Sequence, residues 1–205
     1  MSVMLDLIGS VIIAAFVILI GLRLNETIAG NADSSKANVN VQESMVDIVR
    51  NLEYDFRKIG YGVSETQHAI VDTGASYIKF LADLQSASGD PGPDGVVDTV
   101  EWWSGAPLIG KLENDSVRVL YRRINGGQAI GAALGVTKFN LRYLNQDGGV
   151  PASLGAIFII ETTLQVESPY KVMDQMRPDD YEKWGFSTAF WRQTRLASRN
   201  IKRHG

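Results

Sequence analysis

From Leu7 to Leu22 the chain carries no charged residue, and Ser10 is the only strongly polar position. A helix that is apolar all round cannot shield its surface in water, so this run belongs in lipid or in a bundle of similar helices. A spanning helix needs about 20 apolar residues, and the run from Val3 reaches that length only by taking in Asp6. After Leu24 the character changes. Residues 25–40, NETIAGNADSSKANVN, are polar and include Gly30, Asp33, Ser34 and Ser35, which weaken or cap helices, so the pattern predicts a loosened or partly melted linker. Apolar residues then recur at three- and four-residue spacing, as Val41, Met45, Ile48, Val49, Leu52, Phe56 and Ile59, and this predicts an amphipathic helix over 41–62 with Gly60 and Gly62 as its stop.

From Ala69 onward the period becomes two. Seven stretches rich in Val, Ile, Thr, Phe, Tyr and Trp read as strands: 69–72, 76–81, 96–103, 117–124, 136–144, 156–167 and 186–196. Gly, Pro, Asn and Asp clusters separate several of them, at 90–95, 125–127 and 147–151. No gap is long enough for a helical crossover, so the strands are expected to meander antiparallel. The fold class is therefore α+β: a hydrophobic helix over 1–24, a linker over 25–40, an amphipathic helix over 41–62, and a β-rich domain over 63–205 that the helix packs against.

Composition narrows the chemistry. The 205-residue chain has a net charge of −3, which argues against general nucleic-acid binding, and no Cys, which excludes disulfides, thiolate metal sites and a Cys nucleophile. Two His, at 68 and 204, are too few for a His-rich metal centre. There is no phosphate loop after a strand and no Gly-x-Ser-x-Gly elbow, so no catalytic residue is assigned and no enzyme is expected.

Asp6 is the anomaly of the first segment. A cleaved secretory signal would begin with basic residues, and here none precedes the apolar core. In a plain anchor Asp6 would cap the helix start. In a bundle of like helices it would pair with a neighbour's terminal ammonium. If Met1 is removed, as the small Ser2 permits, Asp6 becomes the fifth residue.

That position is where type IV pilins and type II secretion pseudopilins carry an acid, and SVMLDLIGSVIIAAFVILIGL resembles their N-terminal helix in length, acid position and composition. Family members also begin with a short basic leader ending in Gly before a Phe, which Met1–Asp6 does not show. A second resemblance lies in VQESMVDIVRNLEYDFRKIGYG, where Leu52, Asp55, Arg57, Gly60 and Tyr61 follow the order and spacing of PilW-type minor pilins and J-type pseudopilins. Weaker pieces follow in the expected order through YIKFLADL, DGVVDTVEWW, LYRRINGG and GVTKFNLRYLNQDGG. The resemblance implies a filament subunit whose hydrophobic helix, with Asp6, Leu7, Ile12, Phe16 and Ile20, makes the contacts of assembly with other pilin-like subunits. It implies residence in the cytoplasmic membrane beforehand and in a cell-surface or periplasmic filament afterwards.

Four further features carry candidate chemistry. In DPGPDGVVDTVE, Asp90, Asp94, Gly95, Asp98 and Glu101 fall at positions 1, 5, 6, 9 and 12 of a calcium loop, with Asp83 nearby. Gly92 stands where a third acid belongs, and strand alternation puts Asp98 and Glu101 on opposite faces, so an acidic turn entering a hairpin is the competing reading. Trp102 and Trp103, adjacent on one strand, must also face opposite ways, one inward and one toward the rim or a partner. Asp55 and Arg57, two apart on a helix, are expected to pair with other groups and not with each other. The basic tail, Arg192, Arg195, Arg199, Lys202 and Arg203, could meet an anionic partner, including acidic surfaces of neighbouring subunits, nucleic acid or lipid. The rival to a filament subunit is a single-pass, membrane-anchored extracytoplasmic module that binds calcium or an anion and does not polymerise.

Overall fold

A computed structural model describes residues 2–85, 89–173, 184–196 and 200–201. Among the described residues one α-helix, α1 (Ser2–Arg57), leads into nine strands: β1 (Ile70–Gly74), β2 (Tyr77–Ala82), β3 (Asp98–Ser104), β4 (Arg118–Ile124), β5 (Ile130–Leu144), β6 (Ile159–Glu167), β7 (Val172–Met173), β8 (Trp184–Gly185) and β9 (Thr188–Leu196). Seven form one sheet in the order β1-β2-β3-β4-β5-β6-β9, with every neighbouring pair antiparallel. All seven strands expected from the alternating pattern are present, and the α+β class holds. The two-residue β7 and β8 pair separately and were not anticipated.

The helix differs from expectation between residues 25 and 40. It runs unbroken through this polar stretch, and no melted linker separates an anchor from an amphipathic helix. Tertiary contact explains the difference. Ser34 is only 3% exposed, and the Ser187 hydroxyl donates to the Asn38 side-chain carbonyl at 2.5 Å. Ser187 is itself tied to Ser168, whose backbone N–H donates to the Ser187 carbonyl and whose hydroxyl accepts the Ser187 N–H. The polar face thus has polar partners on the sheet domain, and weak helix formers are held helical by packing. The helix ends at Arg57, ahead of the expected stop, and the chain turns over through Gly60 and Gly62, both at positive φ. A Cβ at Gly60 would lie 2.5 Å from the Asn200 carbonyl oxygen, so glycine is required there on two counts.

Val41, Met45, Ile48, Leu52, Phe56 and Ile59 are buried in one core with Ile78, Phe80, Val100, Trp102, Leu120, Val136, Leu141, Ile160 and Leu164. Phe56 meets Phe80 edge to face, with ring centres 5.9 Å apart. Strand β5 is long because it serves two neighbours, β4 up to Val136 and β6 beyond it. The bend falls at Gly135, where φ is 103° and an added Cβ would sit 3.0 Å from the Glu167 carbonyl oxygen. The far half of β5 then meets the β1–β2 turn: Leu141 N–H donates to Ala75 O at 2.7 Å, and the Tyr143 hydroxyl donates to Tyr77 O at 2.8 Å.

Candidate functional site

The helix has two unlike halves. From Ser34 onward it is anchored to the sheet; from Leu7 to Ile28 its large apolar side chains are exposed, as are Val3 and Met4. At about 1.5 Å per residue, the 22 residues from Val3 to Leu24 span roughly 33 Å, close to the ~30 Å hydrocarbon thickness of a bilayer. The helix is long and apolar enough to cross a membrane. Its hydroxyls are satisfied within the helix, Ser10 Oγ donating to Leu7 O at 2.8 Å and Thr27 Oγ1 to Arg23 O at 2.9 Å, so neither brings an unmet donor into an apolar medium. Leu7 is 65% exposed and Phe16 61%, and Ile12 and Ile20 are likewise at least half exposed. Asp6 is exposed beside them. Because α1 already begins at Ser2, Asp6 lies inside the helix at its fifth residue and not at a capping position.

Where this helix meets the domain, a charged group is buried. Asp55, 1% exposed, accepts two hydrogen bonds from Arg122 of β4, at 2.6 and 2.9 Å, and a third from the indole N–H of Trp102 at 2.7 Å. The sequence reading expected Asp55 to pair with another element, and it does. Arg57 instead meets Glu53 on its own helix. Arg122 was not singled out, although a signal existed: in RVLYRRI, period two places Leu120 and Arg122 on the same inward face. An inward Arg on a strand calls for a buried acid.

The acidic loop is arranged differently from a calcium loop. The Asp98 carboxylate accepts the backbone N–H groups of Leu84 and Gln85, at 2.9 and 3.0 Å, and the Asn125 amide at 2.6 Å. Asp83 reciprocates, accepting the N–H groups of Asp94 and Gly95 at 3.0 and 2.9 Å. Asp94 accepts the Val96 N–H. Glu101 is on the other face of β3, held by Lys79 at 3.2 Å and by Arg123. These carboxylates therefore lock the loop ends to one another, and Asp90, Asp94, Asp98 and Glu101 do not converge. Among the described residues no three acidic or His side chains are grouped to hold a metal ion. The donor set does not fit calcium, because the oxygens of Asp94, Asp98 and Glu101 already face backbone N–H groups and cations.

Trp102 and Trp103 divide as expected. Trp102 is fully buried, while Trp103 lies on the opposite face, stacked on Tyr121 with ring centres 5.3 Å apart. Of the basic tail, Arg192 and Arg195 belong to β9 but their side chains lie outside the described part, and Arg199, Lys202 and Arg203 are outside the described residues altogether. No protein-family model matches the chain, and neither a curated protein nor a solved structure matches it.

Proposed function

We propose that this protein is a structural subunit of a type IV pilus-like or type II secretion pseudopilus-like filament, held in the cytoplasmic membrane by its N-terminal helix and assembled through that same helix with other pilin-like subunits. The observation that carries this reading is the exposed apolar half of α1, continuous in one helix with a half built into the domain core. A simple anchor needs no such continuity. Its span could be joined by any flexible linker, whereas a subunit positioned in a filament must transmit the placement of its helix to its domain.

The energetics also favour a role for Asp6. Moving an apolar helix from lipid into a bundle of apolar helices gains little from the hydrophobic effect, since lipid tails are as apolar as Leu. Packing and polar pairing must then select the partner. Asp6 is the only ionisable side chain before Arg23, and an acid near a membrane-buried helix end is expensive unless paired. The mechanism is assembly, with no bond made or broken.

The chain has no cysteine, so Ile12→Cys creates a unique thiol on the exposed helix. Oxidative cross-linking in intact cells, followed by shearing and sedimentation, is expected to yield linked chains within high-molecular-weight fibres. Recovery of the uncross-linked variant only in detergent extracts would instead support the single-pass binding module.

A further inference from the structure

The face of the sheet turned away from α1 carries an ordered pattern that filament assembly does not explain. Strand register sets Tyr77, Trp103 and Tyr121 side by side across β2, β3 and β4. The next row of the same face is Lys79, Glu101 and Arg123, continued on β1 by Asp72. One row is aromatic and its neighbour alternates in charge across four strands.

Both rows are fixed in place. Trp103 and Tyr121 are nearly parallel, at 21°, and the Arg123 guanidinium lies 5.3 Å from the Trp103 ring centre. Glu101 holds Lys79 through one carboxylate oxygen and Arg123 through the other. Gly105 makes room for the stack: a Cβ there would lie 2.8 Å from the Tyr121 ring. Beside the stack is an open depression of about 510 Å³, bounded by the β1–β2 turn with Ser76, and by Glu101, Trp103, Ser104 and Arg123.

We infer that this depression is a binding site for a neutral oligosaccharide, with Tyr77 and Trp103 as its aromatic lining and Glu101, Arg123, Ser76 and Ser104 as its polar rim. A sugar ring presents an apolar C–H face and a polar edge, and the site offers an aromatic surface bordered by both donors and acceptors. Charge selects against an anionic chain. Two acids and two bases alternate in the charged row, and both cations are bound to Glu101, so none is left to neutralise phosphate. An aromatic platform for single-stranded nucleic acid would require a positive groove. The site is independent of how the N-terminal helix is used.

The test is calorimetric titration of the full chain in detergent with cellohexaose, chitohexaose and maltohexaose, taken to about 10 mM, above the ~1 mM dissociation constants of weak specific binding. At least one sugar is expected to bind. Trp103→Ala is expected to weaken that sugar at least tenfold, and Trp103→Phe, which keeps a ring, only a few-fold. Phe190→Ala, on the exposed surface of β9, serves as the unchanged control. The inference is overturned if none of the three sugars gives heat with folded wild-type protein, if Trp103→Ala binds as wild type does, or if Trp103→Phe is as impaired as Trp103→Ala. Tighter binding of a dT12 oligonucleotide than of every sugar would also overturn it.

Discussion

Arg122 closes on Asp55 through two parallel hydrogen bonds, across 67 positions of sequence, and thereby joins the inner face of the sheet to the helix that projects from the domain. A pair of this kind is weak evidence of net stability, because desolvating both charges offsets much of their attraction. Breaking it is another matter.

Asp55→Ala leaves the partly buried Arg122 guanidinium and the buried Trp102 indole N–H without this acceptor. A loss of about 3–5 kcal/mol is expected, which for a chain of this size lowers Tm by about 2–4 °C per kcal/mol. Asp55→Asn keeps an acceptor for Trp102 and should lose less. Denaturant unfolding of the two variants measures the difference.

Acid should weaken the outer face of the sheet. Burial pushes the Glu101 carboxyl up, but hydrogen bonds from Arg123 and Lys79 and their charges outweigh it and hold the group below its ordinary 4.5. A carboxylate depressed in the folded state contributes stability that is complete well above pH 4.5 and is lost as pH falls below that value through the folded pKa. Glu101→Gln is expected to flatten the fall in denaturant midpoint between neutral pH and the acid side of that window.

In alkali the corresponding group is Tyr143. Burial, aided by the nearby Asp72 and Tyr77, raises its hydroxyl well above the usual 10.0. A folded pKa that is raised gives stability present below pH 10 and lost progressively as pH climbs above it. Tyrosinate absorbance should therefore show at least one of the seven tyrosines titrating above the ordinary range, in step with unfolding. Tyr143→Phe, which removes the bond to Tyr77 O, should cost about 0.5–1.5 kcal/mol and remove one tyrosine from that late signal, leaving Tyr77, whose hydroxyl burial also raises.

Calcium is expected to leave Tm unchanged, and a chelator likewise, because the acids of the 83–98 loop serve its own backbone. Asp98→Ala should destabilise by about 1–3 kcal/mol through unmet N–H groups at Leu84 and Gln85. A calcium-dependent rise in Tm that Asp98→Ala removed would restore the metal.

Asp6→Ala is the variant that bears on assembly. It is expected to insert into the membrane as wild type does, and to vanish from sheared filaments. Equal recovery of both proteins in the filament fraction would remove the assembly role proposed for Asp6.

Elements and their order were legible in the chain itself, because periods of 3.6 and 2 and the Gly, Pro and Asn clusters are local properties. Amphipathic spacing picked out Val41 to Ile59 as a buried face, and alternation placed Trp102 inward and Trp103 outward. The same local reasoning predicted a break over 25–40, and there it failed. Ser34 and Asn38 are weak helix residues taken alone, yet Ser187, some 150 positions later, gives Asn38 a partner. The acids of the 83–98 loop show the same limit. Their spacing matched a metal loop, but spacing does not say which donor each oxygen will meet, and the closed hairpin turns Asp83 and Asp98 toward backbone N–H groups. The sequence alone determined that one end of this protein is apolar on every side and that the rest is helix on sheet. Only the tertiary structure decided that the two are a single unbroken rod, since helix propensity is worth tenths of a kcal/mol per residue and packing overrides it.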